Sequence, residues 1–167
     1  MRSFYILLIF FLYGCTPSIY IVRHAEKDVS QAGATMMTSD PPLSTKGITQ
    51  SEELATYMRN KKIQQVFYST YQRSKSTASP LLQQQPKIKS SSYSPRMDSL
   101  PSFLKTVNAA KGSVLIIAHS NTIVPIVNGL RGNSEWTKSI GEQEHTWIVR
   151  IKRKPGMPLD LRKYAVE

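Results

Sequence analysis

An α/β sandwich, with helices on both faces of a mainly parallel central sheet, is predicted by two features of this 167-residue sequence. The first is a set of short, β-branched apolar runs, Ile19–Val22, Gln65–Tyr68 and Val114–Ala118, nearly continuous in the way of strands buried on both faces. The second is that segments of helical length lie between them, so strand and helix alternate along the chain.

The first predicted helix lies in "LSTKGITQSEELATYMRNKK". Ser44 and Thr45 are candidate caps, Glu52 and Glu53 come early, and Arg59, Lys61 and Lys62 close it, as the helix dipole favours. Ile48, Ala55 and Met58 fall near one face, which would lie on the sheet. A second helix is predicted from about Gln72 to Gln83, with Pro80 as a kink or break. "SLPSFLKTVNAA" predicts a third, with Pro101 in its first turn and Gly112 just past its end. "NTIVPIVNGL" is a fourth, shortened or bent by Pro125. "HTWIVRIKR" alternates like a half-exposed strand, and "LDLRKYAVE" supplies a candidate edge strand. "DVSQAGATMMTSDPP" and "QQQPKIKSSSYSPRM" read as loops of a single domain.

The N-terminus has a different character. "MRSFYILLIFFLYGC" has a basic start at Arg2, an apolar run from Phe4 to Tyr13 and a small residue before Cys15. That is the layout of a secretory signal, too short for a comfortable transmembrane helix. Its ending "LYGC" resembles the lipobox of bacterial lipoproteins, in which the cysteine carries the lipid. The expected organisation is therefore a lipoprotein-type signal peptide over residues 1–15 and one domain over residues 16–167, exported to the periplasmic or cell-envelope side and anchored to a membrane through Cys15. Because Cys15 is the only cysteine, an internal disulfide and a cysteine-based zinc site are excluded. The chain is basic, with 22 Lys+Arg against 11 Asp+Glu. The basic residues are scattered, with small concentrations at Lys61–Lys62 and Arg150–Lys154 and no interleaved aromatic stripe, which argues for solvated surface near anionic lipid and against nucleic acid.

The chemistry-bearing residues share one grammar. "IYIVRH" and "VLIIAH" each run an apolar strand into a histidine, His24 and His119. In an open parallel sheet ligands bind outside the carboxyl ends of the strands, so both histidines would emerge at one edge. "QVFYS" ends at that edge too, and "TYQRSKSTA" delivers Arg73 in the first turn of the following helix. Two histidines would thus converge with two arginines, Arg23 and Arg73. Guanidinium groups offer paired donors that match phosphoryl oxygens in plane and charge. A neutral imidazole can attack phosphorus and divide one hard hydrolysis into two easier displacements, for which neither a metal nor another cofactor is needed.

"VRHAEK", "DPPLSTKG", "VFYSTYQRSKSTA" and "VLIIAHSNT", in that order from Ile19 to Leu130, together resemble the histidine phosphatase superfamily, whose other well-known branch is the phosphoglycerate mutases. The resemblance implies a phosphatase of phosphate monoesters in which His24 is the phosphorylated nucleophile, Arg23 and Arg73 clamp the phosphate and His119 is the second histidine of the pocket. The family's glycine after the nucleophile is Ala25 here, which serves unless positive φ is required. Short spacing between the motifs favours a small, open-sited phosphatase, whose partner is a phosphorylated small molecule or a phosphoprotein. The family's general acid is usually a carboxylate between the second arginine and the second histidine, and Asp98 is the only acidic residue there. Glu26 is its rival, or else pairs with Lys27, Arg23 or Arg73. Ser120 or Asn121 would add a hydrogen bond to the substrate, and a neutral His24 beside a protonated acid would give a bell-shaped pH profile on the mildly acidic side.

Two readings compete. A non-catalytic lipoprotein binding phosphorylated ligands would use the same pocket but has no need of His24. "IIAHSNT" is also superficially similar to the nucleophile elbow of serine hydrolases, with Ser120 as nucleophile and His145 as base, but Ala118 and Thr122 stand where the elbow glycines belong. His145 otherwise reads as a strand-entry residue and Trp136 and Trp147 as packing.

Overall fold

The structure is a computed structural model and describes residues 16–30, 40–141 and 144–164. Cys15 and the apolar segment before it lie outside the described residues. Six strands and four helices follow in the order β1 Ser18–Arg23, α1 Thr45–Met58, β2 Ile63–Ser69, α2 Gln72–Gln84, β3 Lys89–Tyr93, α3 Leu100–Ala109, β4 Ser113–Ala118, α4 Ser120–Arg131, β5 Trp147–Lys152 and β6 Leu159–Lys163, with a 3-10 turn at Met97–Ser99 before α3.

The strands form one sheet in the order β3-β2-β4-β1-β5-β6. Pairs β1–β4, β2–β4 and β2–β3 are parallel, while β5 runs antiparallel to both β1 and β6. Both central strands, β1 and β4, are buried along their whole length. This is why their sequences carry apolar side chains on both faces instead of alternating. One face packs Phe103 and Val107 of α3 and Ile123, Ile126 and Val127 of α4. The other packs Leu54, Ala55 and Met58 of α1 and Ala78 and Leu81 of α2. The predicted three-layer arrangement is the one observed. Among the described residues no helix is long and apolar enough to cross a membrane.

Three local expectations change. Lys89–Tyr93, read as loop, is the edge strand β3, and four of its five residues are exposed. Tyr93 pins it: the ring stacks on Phe103 at 3.9 Å and its hydroxyl donates to the Ile117 carbonyl at 3.2 Å. Ile48 is 52% exposed instead of facing the sheet. The buried stripe of α1 is Gly47, Gln50, Ser51, Leu54, Ala55 and Met58, a regular three-and-four spacing that keeps the expected Ala55 and Met58 and has Gly47 in place of Ile48. Finally, Pro80 and Pro125 sit inside α2 and α4 without ending either. The carbonyls that lose a partner belong to Ser76, half-buried, and Asn121, exposed, so water can replace the missing N–H.

Candidate active site

The site grows out of strand register. Arg23, the last residue of β1, lies opposite Ala118, the last of β4. The His24 N–H continues the ladder by donating to the Ala118 carbonyl at 3.0 Å. His24 and His119 therefore leave adjacent strands side by side, with ring centroids 5.1 Å apart. His119 also caps α4, its backbone N–H donating to Thr122 Oγ1 at 3.0 Å.

Each imidazole is oriented. His24 Nδ1 lies 2.7 Å from the Ala25 carbonyl. A carbonyl only accepts, so Nδ1 carries the proton and Nε2 presents its lone pair. Arg73 Nε donates to that lone pair at 3.3 Å. His119 Nε2 is 2.7 Å from Ser69 Oγ, which is 2.8 Å from Ser74 Oγ, so α2 and the end of β2 hold this ring together.

Arg73, in the first turn of α2, is fixed by Asp40 and Tyr71. Asp40 Oδ1 lies 3.2 Å from its NH1, and its guanidinium sits 4.1 Å over the Tyr71 ring. Asp40 Oδ2 also accepts from the Gln72 backbone N–H at 2.7 Å, and its carbonyl accepts from the Gln72 side chain. Arg23 donates from NH1 to the Gly141 carbonyl at 2.8 Å.

The loop after His24 is clamped. Ala25 N–H donates to Thr77 Oγ1 at 2.9 Å, and Thr77 Oγ1 donates to the Arg73 carbonyl at 2.7 Å. Ala25 has no positive φ, so a methyl group is accommodated where the resemblance expects glycine. Glu26 N–H donates to Gln50 Oε1 at 2.9 Å. A Cβ on Gly47 would stand 2.0 Å from the Glu26 carbonyl oxygen, so α1 can approach this loop only through a glycine.

Of the predicted residues, His24, Arg23, Arg73 and His119 come together. Glu26 does not pair with Lys27 or with either arginine: its carboxylate accepts from Ser44 Oγ at 2.8 Å and lies 3.8 Å from Lys46 Nζ. Asn121 is exposed in the first turn of α4, at the same edge. Asp98 lies in the turn between β3 and α3, where Arg96 NH2 is 3.0 Å and Ser99 Oγ 2.9 Å from its carboxylate. Neither of those contacts reaches the histidines.

Three participants escaped sequence reasoning. Asp40 precedes Arg73 in the chain and so lies outside the interval searched for an acid. Ser69 has the look of a strand terminus. His145, read as a strand-entry residue, is buried with its Nδ1 2.8 Å from the His24 carbonyl and its ring 5.9 Å from the His24 ring. The apolar strand after His145 is its only signal, and that strand returns antiparallel to β1.

Burial dominates the electrostatics. It lowers His24 from 6.5 to about 2, aided by the positive charges of Arg23 and Arg73 and by His119 and opposed by the Ala25 carbonyl. His119 falls to about 3, by burial first and then by Arg73 and Arg23. His145 is lowered by burial, against the pull of the His24 carbonyl. All three rings are therefore neutral in the free protein at ordinary pH. Asp98 is held low by Ser99 and Arg96 and is ionised. Among the described residues no group of three or more His, Cys, Asp or Glu is arranged to hold a metal ion.

A mainly parallel α/β sheet with two neutral histidines and two arginines at its carboxyl edge is the arrangement of a phosphate-ester hydrolase. The family model described as histidine phosphatase superfamily (branch 1) matches residues 19–98, the stretch from β1 to the turn before α3. Site and match together read as a phosphatase of the metal-independent kind, acting on phosphate monoesters through a histidine. Solved structures share the fold at low identity. Alpha-ribazole phosphatase from Shigella flexneri is 14% identical, with a TM-score of 0.65 over 87% of this chain and 95% of that one. Mycobacterial glucosyl-3-phosphoglycerate phosphatase, solved with VO3, is 13% identical, with a TM-score of 0.66 over 88% and 98%. The protein histidine phosphatase SixA, solved with tungstate, is 21% identical, with a TM-score of 0.57 over 87% and 94%. None of the curated proteins matches the sequence.

Proposed function

We propose that His24 Nε2 is the nucleophile of this phosphatase and that Arg23, Arg73 and His119 form its phosphate pocket. The observation that carries this reading is the state of His24: Nδ1–H is tied to a backbone carbonyl, the ring is neutral, and the Nε2 lone pair faces Arg73 Nε at 3.3 Å. A phosphate arriving there takes over the Arg73 N–H, which frees the lone pair for in-line attack. The N–P bond forms as the ester P–O bond breaks. The two guanidiniums and His119 stabilise the charge on the equatorial oxygens, with Asn121 and Ser120 at the rim. Water then attacks the phosphohistidine, releases phosphate and restores His24.

The proton for the leaving oxygen is assigned to Asp98, which is ionised in the free protein and must exchange Arg96 and Ser99 for the anionic substrate and take up a proton from solvent there; having given that proton to the leaving oxygen, it takes one back, as carboxylate, from the attacking water. Asp98→Asn is expected to lower turnover of alkyl phosphates by at least about tenfold more than turnover of p-nitrophenyl phosphate, whose leaving group needs no acid. Equal losses on both esters would remove Asp98 from the role. Asp40, already committed to Arg73 and Gln72, positions the clamp.

With His24 lowered to about 2, the free protein keeps its nucleophile neutral down to strongly acidic pH. The acid limb of kcat/KM that belongs to His24 then lies below the mildly acidic range. The substrate class is a compact phosphate monoester or a phosphohistidine protein, in line with the phosphatases that share the fold. The chain is further proposed to be exported and lipid-anchored through Cys15.

The decisive experiment is to mix the protein with p-nitrophenyl phosphate, quench in alkali to preserve phosphohistidine, and map the adduct by mass spectrometry. A single phosphoryl group on the peptide containing His24 is expected. An adduct on Ser120, or turnover without an adduct on His24, overturns the assignment.

A further inference from the structure

Charge is distributed unequally between the two ends of the sheet. The end opposite the pocket is built from short connections. Residues 59–62 join α1 to β2 and bring Arg59, Lys61 and Lys62; residues 85–88 join α2 to β3 and bring Lys87 next to Lys89. The turn 110–112 before β4 adds Lys111, and β5 ends in Lys152 and passes into the turn 153–158 with Arg153 and Lys154. These connections contain no Asp or Glu, and among the described residues none of these nine basic side chains forms an ion pair.

The carboxylates near that end are already occupied. Glu135, after α4, lies 3.6 Å from Arg131 NH2, and Asp160, one residue inside β6, is held between Arg150 and Arg162. In contrast Glu26, Asp28, Asp40, Asp98 and Glu144 all lie in loops of the pocket edge.

The surface is also firm. Lys62, Gly112, Gly156 and Met157 adopt positive φ, the mark of tight turns. Arg153 is tied down twice, its N–H to the Pro17 carbonyl at 2.9 Å and its NH2 to the Val107 carbonyl at 2.8 Å. The first of these bonds holds Pro17 beside the β5–β6 turn, in the middle of the basic end, and in the sequence an apolar run from Phe4 to Tyr13 precedes it.

We propose that this basic end is a docking surface for an anionic phospholipid bilayer. Basic side chains close to an anionic leaflet are attracted individually and add up when they lie on one rigid plane. A bilayer there meets the eight of these basic groups that are not tied inward as Arg153 is, at the end of the sheet where the described chain begins. A nucleic acid would gain the charges but little stacking, since the Tyr57 ring beside them is half-buried and already covered by Lys61 Nζ at 4.6 Å. The pocket then lies on the far side of the sheet, about 20 Å away for a six-residue β1, and opens to soluble substrate. This inference is independent of the phosphatase mechanism and holds whether or not Cys15 carries a lipid.

The test is partitioning of the full chain onto phosphatidylcholine vesicles with and without about one-third phosphatidylglycerol. The apolar N-terminal segment contributes to both, so the ratio reads the charged surface. We expect a preference of at least about tenfold for the anionic vesicles, lost in about 0.5 M NaCl. The variant Lys61→Gln/Lys87→Gln/Lys111→Gln/Lys154→Gln, one lysine from each turn, should remove most of the preference. Lys75→Gln/Lys105→Gln/Lys138→Gln/Lys163→Gln, with the same net charge, should keep it within about twofold. Equal partitioning of the unmodified chain overturns the proposal, as does an equal loss in both variants. Tighter binding of an RNA homopolymer than of vesicles, abolished by the first variant alone, reassigns the surface to nucleic acid. Circular dichroism of both variants establishes that they are folded, and salt titration of the unmodified chain gives a reading that needs no variant.

Discussion

His24→Ala is expected to reduce kcat on p-nitrophenyl phosphate by about 10⁴-fold or more while leaving the thermal unfolding midpoint close to that of the unmodified protein. The reasoning is that the nucleophile cannot be replaced in place. His119 has its Nε2 engaged by Ser69, and His145 is directed at the His24 carbonyl, so neither ring stands where Nε2 of His24 does. Removing the imidazole also takes a cluster member that is costly to bury, which offsets part of the packing loss. Steady-state kinetics beside calorimetry would check this. A variant that is folded and retains a tenth of the activity would end the case for a phosphohistidine.

Acid should weaken this fold from about pH 6.5 downward, ahead of its carboxylates. His24 and His119 are about 2 and about 3 in the folded chain and return to 6.5 when it unfolds. The unfolded chain therefore takes up protons that the folded chain refuses, so this stability is complete above pH 6.5 and is lost as pH falls towards 3. At pH 4.5 each ring has lost about two pH units, about 3 kcal/mol, and the pair on the order of 5 kcal/mol. That is a large share of the roughly 5–15 kcal/mol that holds a domain together. Asp98 and Asp160, held below 3.8, add their loss only at lower pH. Urea unfolding at pH 7 and pH 4.5 measures the difference, and His24→Asn/His119→Asn should flatten it. A double variant that loses as much as the unmodified chain would place the acid sensitivity elsewhere.

The central sheet was legible because β1 and β4 are buried on both faces and must be written almost wholly in apolar residues. β3 was illegible for the opposite reason: as an edge strand it needs one anchor, Tyr93, and backbone pairing to β2, for which serines suffice. On the site edge, His24, Arg23, Arg73 and His119 could be placed from strand ends alone. Contacts made by folding back could not. The start of α1 is instructive: Ala55 and Met58 are buried as expected and Ile48 is not, while Gln50 and Gly47 look like surface residues yet occupy the buried stripe. They are there for the loop: Gln50 accepts from Glu26, and Gly47 leaves room for the Glu26 carbonyl. Polar residues at the buried period of a helix thus pointed to the site, and an apolar count passed over them. His145 was hidden in the same way, because its role depends on β5 returning beside β1.

The clamp on residues 24–26 has a bearing on how such a pocket diversifies. Ala25 is tethered to Thr77, whose hydroxyl also holds the Arg73 carbonyl, and Glu26 is pressed against Gly47 and Gln50. Nucleophile and clamp are thereby mechanically one piece, seated on α1 and α2, and tolerate no resizing. New substrates must be accommodated by walls that make no bond to this piece, such as residues 132–140 of the connection from α4 to β5, where lengthening or shortening leaves Asp40, Gly141 and His145 on their partners. Chemistry and selectivity are borne by separate parts of the chain, so one can be inherited unchanged while the other drifts.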